Sequence, residues 1–280
     1  MTVRRARLPR WAAPLVASAS VSACSLLVDT GDLTGASLAA GDEAGAETSL
    51  ADAAVEAVAD AETPADRYRA AVLADRPVAY WPFDEAPDAT AARDIVGGKS
   101  GRVSDGAVTF GVAGIAGTAL ALDRKGDLDV GDVLDLQGSA PYAFEAWLKA
   151  RVGNDVFYEF LNKRTSSSDG YVAYVFHEAN GTSVQWELGT RTGNRGTTMP
   201  IGLDTWQHVV VSYDPDVGMH VYVNGNRDSS SYADPTASAT DNPAPLRIGS
   251  SFLGTIDELA IYDHALSLER IRAHAALGKP

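Results

Sequence analysis

FLGTIDELAIYDHALSLERIRAH, residues 252–274, decides the fold. Its first part, 255–262, is rich in β-branched and aromatic residues and predicts a strand. A helix then opens with Ser267 at the N-cap, Glu269 in the first turn and Gly278 as terminator, a polarity that suits the helix dipole. Leu268, Ile271 and Ala275 are expected to face inward. A strand running directly into a closing helix sets the pattern for everything upstream.

Working outward, short β-rich runs recur between turn residues at 119–122, 128–130, 143–150, 157–162, 171–177, 184–188, 206–213, 220–223 and 246–248. In 207–213, Val209, Val211 and Tyr213 share one face while His208, Val210 and Ser212 share the other. Asn224-Gly225 supplies the two positive-φ residues of a type I′ hairpin turn. In front, Asp66 is expected to cap a helix over 67–74 that presents Tyr68 and Val72 on one face and is ended by Pro77. Val78 to Trp81 then starts the first strand. About ten strands with no long helix between them predict an all-β, two-sheet antiparallel jelly-roll sandwich with short flanking helices.

The runs AYWPFDE (79–85), TALALDRKGDLDVGD (118–132), YAFEAWLKA (142–150), DTWQHVVVSYD (204–214) and HVYVNG (220–225), together with the closing run at 252–274, resemble the laminin G-like, concanavalin A-like jelly-roll family. They stand in that family's order and cover nearly all of 67–278. The resemblance implies one concave and one convex sheet. Two departures stand out. The usual Phe-Asp-Gly before the second strand is here Leu122-Asp123-Arg124-Lys125-Gly126, and Cys24 is the chain's one cysteine, so the paired cysteines of many animal members are missing.

The fold also hosts β-glucanases, whose catalytic strand resembles Glu-x-Asp-x-x-Glu. Nothing here matches it: Glu145 stands alone in its strand, and Glu187 has no acidic neighbour two residues away. His177, His208, His220, His264 and His274 are scattered and read as surface or edge residues. No Gly-x-Ser-x-Gly elbow or zincin helix occurs. For metal, the resemblance implies a structural calcium joining the first strand to the last, at Asp84 and Asp257, with Asp94 close by. The alternative is that the two aspartates accept backbone hydrogen bonds at the seam. Trp81, Trp147, Trp186 and Trp206 read as core. Tyr158, Tyr171 and Tyr174, with Arg191, Asn194 and Arg195 of a polar loop at 190–198, are the expected ligand surface, since aromatic faces and amide or guanidinium donors suit sugar rings and protein contacts alike.

The N-terminal part has a different texture. Arg4, Arg5, Arg7 and Arg10 precede an apolar stretch, 11–23, too short to span a bilayer. It ends in Val21-Ser22-Ala23-Cys24, which resembles the bacterial lipobox, so 1–23 is expected to be a lipoprotein signal peptide and Cys24 the lipidated residue. Ser25 after the cysteine favours the outer membrane by the same resemblance. An ordinary signal peptide with an incidental cysteine is the competing reading. Residues 24–65, acidic and without Lys or Arg, predict a disordered tether, and 66–280 the globular domain. The net charge of −14 argues against nucleic acid and against anionic lipid as partners, leaving a covalent anchor as the route to a membrane. These readings combine into a non-catalytic binding module on an envelope or cell-surface lipoprotein, recognising glycan or protein. A structural or adhesion protein and a divergent glycosidase are the alternatives.

Overall fold

Period-two alternation builds the sandwich. The computed structural model describes residues 62–136, 140–166, 169–190, 193–228 and 241–279. Within it, Val209, Val211 and Tyr213 enter the core between two sheets, and Val210 enters a second apolar layer on the far side. Cys24, the leader, most of the tether and Arg191 lie outside the described residues, which belong to a unit spanning 57–280. Among the described residues no helix is long and apolar enough to cross a membrane.

Sixteen described strands form two antiparallel sheets. The first sheet runs β14 (Asn226–Arg227), β13 (Gly218–Val223), β12 (Gln207–Asp214), β7 (Tyr142–Ala150), β16 (Leu253–Tyr262), β5 (Thr118–Asp123) and β4 (Val108–Ala113). β1 (Ala79–Trp81) also pairs with β16. The second sheet runs β11 (Gly193–Pro200), β10 (Gly181–Thr190), β9 (Tyr171–Glu178), β8 (Phe157–Lys163), β15 (Leu246–Ile248), β6 (Asp127–Gly131), β3 (Gly101–Asp105) and β2 (Ala91–Ala92). The stretch expected as a polar loop at 190–198 is therefore in part a strand, with Leu188 opposite Arg195 and Gly189 opposite Asn194.

Between the sheets, Trp81, Phe144, Leu148, Phe160, Trp186, Phe252 and Ile256 pack as one core. Trp186 donates to the Tyr142 hydroxyl at 3.0 Å, which satisfies its buried N–H. The outer face of the first sheet carries the second layer: Tyr80, Ala143, Trp147, Val210 and Tyr262 lie under Tyr68 and Val72 of helix α1 (Pro64–Ala74) and Ile271 of helix α2 (Leu268–Leu277). Trp206 is only half-buried against this layer.

The helix ends differ in detail from expectation. Thr63, not Asp66, caps α1: its hydroxyl accepts from the Asp66 N–H, and the Asp66 carboxylate accepts from the Thr63 N–H, a reciprocal capping box with Pro64 at the first helical position. Ser267 caps α2 as expected. Leu268, however, is 37 % exposed, and the inward positions are Ile271, His274 and Ala275. The hairpin between β13 and β14 turns on Asn224 and Gly225 at φ 52° and 76°, as the type I′ geometry requires.

Candidate functional site

β8, β9 and β10 lie side by side in the second sheet, and their alternation decides which aromatic rings reach its outer surface. Tyr171, Ala173 and Val175 belong to the core, so Tyr174 and Phe176 take the opposite face. Phe157 shares that face, paired with Phe176 in register, and is 52 % exposed. Its ring meets Tyr174 edge-on at 5.3 Å and Phe176 at the same distance. Tyr174 is itself buried, with its hydroxyl donating to Glu187 at 2.6 Å and lying 2.9 Å from the Gln185 side-chain oxygen. Burial, and then the Glu187 hydrogen bond, push that hydroxyl well above the usual phenol range.

A polar strip borders the rings. Arg164 links Glu187 at 3.3 Å to Glu159 at 3.5 Å, and Asn162 donates to Glu159 at 2.7 Å. Two open depressions flank the β9–β10 turn. One of about 460 Å³ lies between Gly153–Val156 and His177–Asn180, and another of about 390 Å³ runs from Phe176 to Thr198 and Pro200. They share Glu178 and Asn180.

Of the expected ligand residues, Tyr174 is on this face, while Tyr158 and Tyr171 are not. Tyr158 is fully buried in the core, accepts from the Gly153 N–H at 2.5 Å and the Asp155 N–H at 3.2 Å, and lies 4.7 Å beneath the Arg124 guanidinium. Tyr171 stacks on Trp186 at 5.2 Å and donates to the Leu134 carbonyl at 3.0 Å. The reason is parity: Tyr171 and Tyr174 are three residues apart and so point to opposite faces, and Tyr158 points away from its neighbour Phe157. Asn194 and Arg195 stand on β11, two strands from β9. Sequence reasoning missed Phe157 and Phe176, which the same alternation would have found.

At the seam of the first sheet, β5 pairs with β16 as far as Ile256 and β1 begins again at Leu259. Asp257 and Glu258 fill the gap, where a bulge against β7 holds Glu258 at φ 53°. Asp257 Oδ2 accepts from Ile115 N at 2.7 Å and Ala116 N at 3.3 Å, while its buried Oδ1 has no hydrogen-bond partner. Asp84 Oδ1 accepts from Thr118 N at 2.8 Å. Arg69 of α1 reaches in: its guanidinium donates to the Ala116 carbonyl at 2.5 Å and to Glu258 Oε1 at 3.2 Å, and it pairs with Asp84. Tyr80 donates to the other Glu258 oxygen. Burial, then the Glu258 charge, push Asp257 well above the usual carboxylate range. Burial pushes Glu258 up as well, and the Tyr80 hydroxyl and the Arg69 charge offset that rise only in part.

These residues do not fit the calcium that the resemblance implied. Calcium takes six to eight oxygens at about 2.3–2.6 Å, yet Asp84, Glu258 and the Ala116 carbonyl are all turned to a guanidinium. Among the described residues no group of three or more His, Cys, Asp or Glu is arranged to hold a metal ion. Asp94 is fully engaged elsewhere, accepting from the N–H groups of Tyr80, Val96, Gly97 and Lys99 at 2.9–3.0 Å.

The histidines also differ from expectation, because His208, His220 and His274 are buried. Glu145, likewise buried, accepts from His208 Nε2 at 2.9 Å, from His274 Nδ1 at 3.0 Å and from the Tyr262 hydroxyl. Burial alone would raise the Glu145 carboxyl, but the His274 charge and the histidine hydrogen bonds hold it well below the usual range. This cluster lies beneath α1 and α2 and lines neither of the two depressions.

Residues 122–272 match the family model Laminin_G_3, described as the concanavalin A-like lectin/glucanases superfamily. No curated protein matches the sequence. Among solved structures, the botulinum neurotoxin serotype D binding domain aligns with a TM-score of 0.55 at 15 % identity, over 74 % of this chain and 52 % of that one. The binding domain of botulinum neurotoxin DC, in complex with rat synaptotagmin II, aligns at 0.56 and 11 %, over 74 % and 52 %. The chain thus spans about half the length of these toxin domains. Domain 4 of AbnA, an extracellular arabinanase from Geobacillus stearothermophilus in complex with arabinotriose, aligns at 0.54 and 21 %, over 71 % of this chain and 98 % of that one. At such identities the likeness is one of fold. With more than half of its length matched by the family model, the chain belongs to the concanavalin A-like lectin/glucanases superfamily.

Proposed function

We propose that the domain is a non-catalytic binding module that takes a glycan on the outer face of its second sheet. One observation carries this reading: Phe157 stands half-exposed on a support of Tyr174 and Phe176, within a strip of carboxylate, amide and guanidinium groups. An aromatic face for the apolar side of a sugar ring, with hydrogen-bonding groups around it, is the chemistry such a ligand needs. The acidic border favours neutral or basic sugars over anionic ones. That the AbnA domain is described with arabinotriose supports a glycan, and the toxin domain described with synaptotagmin II supports a protein as the second reading. The lipobox-like run ending at Cys24 supports a module tethered by lipid to the bacterial envelope, facing outward from the outer membrane or cell surface.

The test is a glycan array probed with the full chain and with Phe157→Ala. Binding to neutral or basic glycans that drops at least tenfold in the variant is the expected result. Binding that survives the substitution, or no glycan binding at all, removes the reading and leaves the protein ligand.

A further inference from the structure

The seam beside β16 presents an unusual account of charge. Asp84, Asp257 and Glu258 come from opposite ends of the domain and converge on the loop at 114–118, whose N–H groups meet Asp257 and Asp84. Two of the three carboxyls sit beside residues in strained conformations: Phe83 before Asp84 at φ 61°, and Glu258 itself at φ 53°. A backbone held in the left-handed region at a bulky residue persists only where its surroundings demand it. Here the demand is that both ends of the fold bring acidic oxygen to one point.

Such a point needs a cation. We propose that the Arg69 guanidinium is that cation, so the sandwich closes its first strand onto its last without a divalent metal. The geometry suits a planar fork. Nη2 reaches the Ala116 carbonyl and Asp84, and Nε and Nη2 both lie 3.2 Å from Glu258 Oε1. One group thereby ties α1, the β1 exit, the β4–β5 loop and β16 together. A guanidinium stays charged at every working pH and presents five donors in a fixed planar fork, where an ammonium offers three on a freely rotating point charge. Because the cation is part of the chain, closure is independent of free metal concentration, unlike a site that fills by mass action. It also makes α1 part of the closure rather than an appendage.

The test uses the full chain. Melting curves of the wild type in chelator and in millimolar calcium are expected to coincide. Arg69→Gln is expected to lower the midpoint by about 5–10 °C, the effect of leaving a buried anion unpaired. Adding Glu258→Gln to that variant is expected to recover at least half of the loss, since the unpaired charge is gone, whereas a loss of packing alone would not be recovered. If Arg69→Gln does not fold, a folded double variant carries the same meaning. A wild-type midpoint raised by calcium and restored to the chelator value by Asp257→Asn would overturn the proposal, as would a double variant no more stable than Arg69→Gln.

Discussion

His274 Nδ1 lies 3.0 Å from Glu145 Oε2, across 129 residues of sequence, with both side chains fully buried. The other ring nitrogen of His274 lies 3.2 Å from Asp75, which Arg270 also holds at 2.8 Å. Both ring nitrogens face carboxylates, which favours a second proton on the ring, against the Arg270 guanidinium that lies 3.3 Å from Nε2. It joins α2 to the first sheet and to the end of α1.

Stability should therefore fall on the alkaline side. Burial alone would lower the His274 pKa, but the Glu145 charge, the Glu145 hydrogen bond and the Asp75 charge together outweigh it and raise the pKa above the ordinary 6.5. A raised histidine contributes fully below its unfolded value and loses the contribution as pH rises through its folded one. Glu145, depressed from 4.5, contributes above its unfolded value and loses it only in strong acid. The pair contributes most between about pH 4.5 and 6.5. Asp257, raised, adds the same alkaline slope. Urea unfolding from pH 5 to 9 is expected to show a decline that His274→Gln flattens, at a cost of about 3–5 kcal/mol at pH 6. An unchanged slope in the variant would show that the ring is neutral.

Phe157 and Tyr158 are neighbours with opposite duties. Phe157→Ala is expected to cost about 1 kcal/mol of stability, from lost ring contacts, while abolishing ligand binding. Tyr158→Phe removes the acceptor of the Gly153 and Asp155 N–H groups and is expected to cost about 1–3 kcal/mol while sparing binding. Paired denaturation and binding measurements check both. Reversed phenotypes would place the ligand elsewhere.

Gly225 tests the β13–β14 turn. A Cβ there would stand 3.1 Å from Arg272 Cγ at φ 76°, so Gly225→Ala is expected to destabilise by about 1–2 kcal/mol. A denaturant midpoint equal to that of the wild type would contradict the turn geometry.

The proposed anchor makes a cellular prediction. Cys24→Ser is expected to abolish fatty-acid labelling and to release the protein from membranes, because an acidic chain has no other affinity for lipid. Retention of the variant on membranes after a high-salt wash would defeat the lipid anchor.

What could be read in the sequence was whatever local periodicity encodes. The alternation at 207–213, the Asn224-Gly225 turn and the Ser267 cap all stand in the structure where the residues imply them. Of the residues expected to form one surface, Tyr174 shares a face with Phe157, whereas Tyr171, three residues away, lies on the other side of the pleat. What was hidden is long-range. Glu145 looks solitary in its strand until His208 and His274 arrive from 63 and 129 residues away. Arg69 and Glu258, 189 residues apart, give no hint of each other in the chain. Leu268 was expected to be buried by its hydrophobicity, yet the inward position belongs to His274, whose charge is accommodated by partners no local pattern reveals.

The placement of α1 has a directional consequence. Tyr68 and Val72 fasten this helix to the outer face of the first sheet, and Phe157 lies on the outer face of the second. The chain therefore enters the sandwich from its back. A pull on this helix is met first by Arg69 and the Asp75–Arg270 clasp, on the face opposite the surface where a ligand would sit.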